Sequence, residues 1–136
     1  MKVLQDIWIL DKSGIVIFHR VFDKTVSPQL FGAMMSALNM FAEQLTEVGL
    51  TNFELNNKRF TIIKRSELLF IANSSNKINQ KKVNKELGKV SKKFIKLYSD
   101  KIKGFKGEIG AFAEFKEIIG DGLADKTDEF WKGSLE

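Results

Sequence analysis

The side chains able to do chemistry are few, and their spacing does not suit catalysis. The chain of 136 residues has no cysteine and one histidine, His19. That excludes disulfides, thiolate nucleophiles, cysteine zinc sites and multi-histidine metal sites. His19 stands beside Arg20 on a strand-like run, and a catalytic histidine needs both a nucleophile and an orienting carboxylate within reach. Nothing in the sequence supplies them. The carboxylate pairs Glu114/Glu117 and Asp128/Glu129 lie in acidic segments, whereas paired-acid catalysis needs two acids facing each other across a cleft. Asp11-Lys12-Ser13-Gly14, Gly104-Phe105-Lys106-Gly107 and Gly120-Asp121-Gly122 lack the Gly-x-x-x-x-Gly-Lys-Ser/Thr spacing that lets backbone amides wrap a phosphate. The first reads as a hairpin turn and the other two as helix punctuation. No cofactor, metal or small-molecule substrate is expected, and the chain is expected not to be an enzyme.

Charge is the feature left over. The formal net charge is +5, unevenly spread. Lys77 to Lys106 holds eleven lysines against Glu86 and Asp100, a net of +9, while Gly107 to Glu136 holds eight acids against three lysines, a net of −5. A local excess of one sign concerns partners and solubility rather than fold. The absence of cysteine suits a reducing cytoplasm. The opening residues carry Asp6 and no long apolar run, so no signal peptide is expected. No window of ~18 apolar residues predicts a membrane span.

The elements that must position these groups follow from pattern. Residues 3–10 and 15–22 read as two strands joined at Gly14, apolar on both parities and therefore covered on both sides. Ile7, Ile9, Ile15 and Ile17 share one parity; Trp8, Leu10, Val16 and Phe18 share the other. Ser27-Pro28 predicts a helix start. Leu30, Phe31, Met34, Leu38, Phe41, Leu45 and Val48 then recur at spacings of three and four up to Gly49, with no charge before Glu43. Phe53–Leu55 predicts an edge strand with one wet face, Asn56-Asn57 a tight turn, Phe60–Arg65 a further strand, and Leu68–Ala72 a central one. A long helix is predicted over 79–102 with Val83, Leu87, Val90, Phe94 and Leu97 as its core stripe. Lys82, Lys85, Lys89, Lys92, Lys93 and Lys96 lie ~130° away around it. A last helix is predicted over 108–119. The order is β-β-α-β-β-β-α-α. The fold class is therefore α+β: a five-stranded antiparallel sheet, ordered 2-1-5-4-3, with one helix on one face and two on the other. Residues 1–122 form the domain. Residues 123–136 form an acidic tail with Phe130, Trp131 and Leu135, which could fold back over the first helix or lie along the lysine face.

Ile7-Trp8-Ile9-Leu10-Asp11-Lys12-Ser13-Gly14-Ile15-Val16-Ile17-Phe18 resembles the opening hairpin of longin-type domains, and the element order over residues 3–119 is similar to theirs. These are the small modules of trafficking SNAREs, adaptor small chains, TRAPP subunits and related archaeal proteins; profilin-like and roadblock-like modules share the general sandwich. No SNARE heptads follow the domain. The resemblance implies a free-standing, non-SNARE, longin-like interaction module in the cytoplasm. It would be a dimerising scaffold or a small-GTPase-associated regulator of a trafficking-like system, and lysine, isoleucine and asparagine usage points to an archaeal source. Its expected partners are itself, a related longin or roadblock-type module, or a small GTPase. The first helix supplies the candidate partner face, Phe31, Met34, Met35, Leu38 and Met40, because methionine-rich apolar surface is adaptable; the plain alternative is that this helix fills the groove above the sheet. The six lysines are the candidate anionic face. Its plain reading is a solvated helix side. The functional readings are a peripheral anionic membrane surface or an acidic protein. Nucleic acid is disfavoured, because no arginine or aromatic is interleaved for base contacts.

Overall fold

Strands β1 (Ile7–Asp11) and β2 (Val16–Arg20) form the predicted hairpin, closed through Gly14 at a φ of 93°. Asp11 builds the turn itself. Its carboxylate accepts from the Ser13 N–H (2.9 Å), the Ser13 hydroxyl (2.7 Å) and the Ile15 N–H (3.0 Å), the local bonding that makes aspartate a turn residue. The structure is a computed structural model, and it describes residues 3–22, 26–104 and 110–121. The tail expected over 123–136 lies outside the described residues.

Helix α1 (Pro28–Leu45) starts as predicted, with the Ser27 hydroxyl accepting from the Leu30 N–H and proline in the first turn. Strands β3 (Asn52–Leu55), β4 (Lys58–Arg65) and β5 (Leu68–Ser75) follow, then helices α2 (Gln80–Lys103) and α3 (Phe115–Asp121). Asn56 takes the left-handed conformation in the β3–β4 turn, at a φ of 54°. The sheet order is β2-β1-β5-β4-β3, antiparallel throughout. β5 is buried from Leu68 to Ser74 and pairs with both β1 and β4, so the strands that are apolar on both parities are indeed central.

The helices divide as the pattern requires. Ile7, Ile9, Phe18 and Phe70 pack with Val83, Leu87, Phe94, Phe112 and Phe115 under α2 and α3. Trp8, Leu10, Val16, Phe60 and Ile71 pack with Met35 under α1. One parity differs from expectation. Ile9 pairs with Phe18 but Leu10 pairs with Val16, so Ile17 is an inserted residue. This β-bulge moves Phe18 to the α2 face. The last helix is also shorter than predicted, because residues 110–114 are turns and Gly110 has a φ of 81°.

Two polar devices finish the sheet. Asp6 is buried and reciprocally bonded to Asn73. Its N–H donates to Asn73 Oδ1 (2.8 Å), the Asn73 amide donates to Asp6 Oδ2 (3.0 Å), and Asp6 Oδ1 also accepts from the Phe22 N–H (2.9 Å). At the outer edge of β2 the Gln29 amide accepts from the Val16 N–H and donates to the Val16 carbonyl, both at 3.1 Å. A side chain thus supplies the hydrogen-bond pair that a neighbouring strand would make.

Candidate interaction surfaces

Helix α1 is seated on the sheet by small and polar residues around a single methionine. Its buried positions are Gly32, Met35, Ser36 and Asn39. Gly32 lies so close to the hairpin that an added Cβ would meet the Gly14 carbonyl oxygen at 2.5 Å and Val16 Cγ2 at 2.6 Å. Asn39 Oδ1 accepts from the Leu50 N–H at 3.3 Å. Most of its bulky residues point the other way. Met34 is 61% exposed, Phe41 63% and Leu45 71%, and Leu30, Leu38 and Met40 are exposed as well. These side chains run the length of an 18-residue helix, about 27 Å at 1.5 Å per residue. The helix's single charge, Glu43, is tied at the margin to Lys64 Nζ at 3.0 Å.

Of the residues expected to form the partner face, Met34, Leu38 and Met40 lie on this surface. Phe31 is half-buried and stacks on Trp8 with ring centroids 4.0 Å apart. Met35 is only 4% exposed and belongs to the core beneath the helix. Leu30, Phe41 and Leu45 complete the surface. They had a signal, since they share the three-and-four spacing of Met34 and Leu38, but that spacing alone does not say which way a stripe faces.

Helix α2 follows the opposite arrangement. Capped by Asn79, whose side chain accepts from the Lys81 N–H, it buries Val83, Leu87, Val90, Ser91, Phe94 and Tyr98. Lys82, Lys85, Lys89, Lys92 and Lys96 are exposed and Lys93 is half-buried. Lys89 Nζ lies 3.5 Å from Glu86. The helix kinks at Tyr98, whose φ of −124° is non-helical. Beyond the kink, Lys101 donates to the Ala111 carbonyl and sits over the Phe112 ring. Burial of the Tyr98 phenol, reinforced by the neighbouring Glu114 carboxylate, pushes its pKa up to about 12.

The groups considered for catalysis do not converge. A cleft of about 260 Å³ between the β1–β2 and β4–β5 turns is lined in part by Asp11, Ser13, Ser66 and Glu67, but the Asp11 carboxylate is committed to its own turn. His19 is exposed on β2, paired in register with Trp8. Glu114 and Glu117 are exposed, and Asp128/Glu129 fall outside the described residues. Among the described residues there is no cluster of three His, Asp or Glu side chains able to hold a metal, and no helix long and apolar enough to cross a membrane.

Residues 5–107 match the family model described as the first longin domain of FUZ, MON1 and HPS1. Among solved structures, MglB of Myxococcus xanthus is similar at a TM-score of 0.61 and 13% identity, over 71% of this chain and 85% of that one. The Roadblock/LC7 domain from Streptomyces avermitilis is similar at 0.58 and 15% identity, with the same 71% and 85% coverage. The gliding protein MglB from Thermus thermophilus gives 0.52 and 12% identity, over 63% and 70%. At these identities the likeness is one of fold. No curated protein matches the sequence.

Proposed function

We infer the function from one premise: the chain belongs to the family of the first longin domain of FUZ, MON1 and HPS1. It is a longin-like module, and we propose that it works by association rather than by chemistry, as one half of an assembly completed through α1. The second half is another copy or a related longin or roadblock-type module, and the assembly acts on a small GTPase in a trafficking-like, cytoplasmic system. One observation carries this reading: Leu30, Met34, Leu38, Phe41 and Leu45 of α1 face outward, while Gly32, Ser36 and Asn39 take up most of its buried positions. Contiguous apolar surface of that kind marks an interaction site. Fully burying each such side chain is worth up to ~1.5–3 kcal/mol, from which the ordering cost of association is subtracted. The commitment of Asp11 to its turn and the exposure of His19 favour binding over catalysis.

Sedimentation equilibrium over a wide concentration range tests the proposal. The wild-type chain is expected to dimerise, alone or with an added longin or roadblock-type partner. Leu38→Glu with Phe41→Glu is expected to weaken that dimer at least about tenfold, since central apolar anchors dominate such interfaces. A chain that stays monomeric at every concentration, and pulls down neither such a module nor a GTPase from its own lysate, overturns it.

A further inference from the structure

We propose that the outer face of α2 docks the module onto anionic lipid bilayers, independently of α1, which lies on the opposite side of the sheet. The six lysines from Lys82 to Lys96 occupy one side of the helix before its kink at Tyr98. They span about 21 Å, and successive ones sit within a Debye length of ~8 Å, so their potentials add at a nearby surface. Among the described residues, only Lys89 of the six is ion-paired, with Glu86 at 3.5 Å. Leu97, at the margin of this face, is the one large apolar residue that α2 exposes, which suits adsorption to headgroups rather than insertion.

The side chains favour a bilayer over nucleic acid. α2 contains no arginine, and its aromatics, Phe94 and Tyr98, are buried. Arg59 is spent on the carbonyls of Ile78 and Asn76, and Arg65 on the Ser91 hydroxyl. The face therefore lacks the planar forks and stacking rings with which proteins read bases. Lysine ammonium groups on flexible stems need only a diffuse negative surface, which an anionic leaflet provides. Because the sheet separates the two helical faces, a module seated on a membrane by α2 would keep α1 open for its partner.

Vesicle co-sedimentation of the full chain tests this, comparing phosphatidylcholine vesicles with vesicles carrying about 30 mol% phosphatidylserine. Binding is expected only to the anionic vesicles, and is expected to fall at least tenfold between ~0.05 M and ~0.5 M salt. Lys85→Glu with Lys92→Glu is expected to reduce partitioning at least about 25-fold, at roughly fivefold for each lysine lost. Lys12→Glu with Lys58→Glu changes the net charge by the same amount away from α2, and is expected to change partitioning less than about threefold. The proposal is overturned if anionic vesicles are not bound, if both pairs reduce binding equally, or if a duplex oligonucleotide binds more tightly than the vesicles at the same ionic strength.

Discussion

Helices α1 and α2 cover opposite faces of one sheet and are built to opposite rules. α2 turns Val83, Leu87, Val90 and Phe94 inward and lysines outward, so folding alone buries its stripe except for Leu97, which was expected in it and is exposed while Tyr98 is buried instead. α1 turns Gly32, Met35, Ser36 and Asn39 inward and Leu30, Met34, Phe41 and Leu45 outward, so folding leaves most of its apolar side chains in water. The Gly14 turn and Val16 lie so close to Gly32 that no side chain fits at that position, whereas α2 meets the sheet through Val83, Leu87, Val90 and Phe94, packed with Ile9 and Phe70. An amphipathic helix announces an apolar side, and what its buried positions meet decides whether this side is core or interface.

Four substitutions or conditions would break or sharpen that comparison. The largest effect is expected under α2. Phe94→Ala removes a fully buried ring that contacts Phe70, Tyr98, Phe112 and Phe115, and should cost about 3–5 kcal/mol in urea unfolding. Next comes the seat of α1. Gly32→Ala places a Cβ against the Gly14 backbone and should cost about 1–3 kcal/mol; a neutral result would mean that close packing does not orient the helix. Third, Leu38→Glu with Phe41→Glu should leave stability within about 0.5 kcal/mol per substitution while dissociating the dimer. A large loss of stability in the monomer would instead make this stripe part of the fold.

The smallest effect is a pH dependence on the α2 side. The Tyr98 pKa is raised to about 12 from its ordinary value of 10.0, so the folded state favours the neutral phenol. The stabilisation is complete below pH ~10 and is lost as pH rises through the folded pKa. Tyr98 is the chain's only tyrosine, so its phenolate absorbance titrates it directly. Denaturation should move the midpoint down toward 10, and Tyr98→Phe should remove this part of the alkaline loss of stability.

Much of the fold was legible because burial on two sides leaves a mark on both parities. β1 and β5 carry that mark, which fixed the sheet order, and Ser27-Pro28 fixed the start of α1. The exposed lysines were equally plain, since lysines spaced around the helix away from its apolar stripe face water. What could not be read depends on contacts between distant residues. The bulge at Ile17 follows from pairing with β1 and moves Phe18 across the sheet. Asp6 is a carboxylate in an apolar strand start, and it becomes acceptable inside because Asn73, 67 residues away, and the Phe22 N–H both bond to it. The inward turn of Met35 and the outward turn of Phe41 accompany the close approach of Gly32 to Gly14, a contact that no helical period encodes.

The Gln29 amide has a consequence for growth. Strand edges invite further strands, and this sheet has edges at β2 and β3. With Gln29 occupying the outward hydrogen-bonding groups of Val16, the β2 end carries a stopper and lengthening is left to β3. A sheet with two open ends could polymerise into a fibre, and the stopper removes one of the two edges such growth needs.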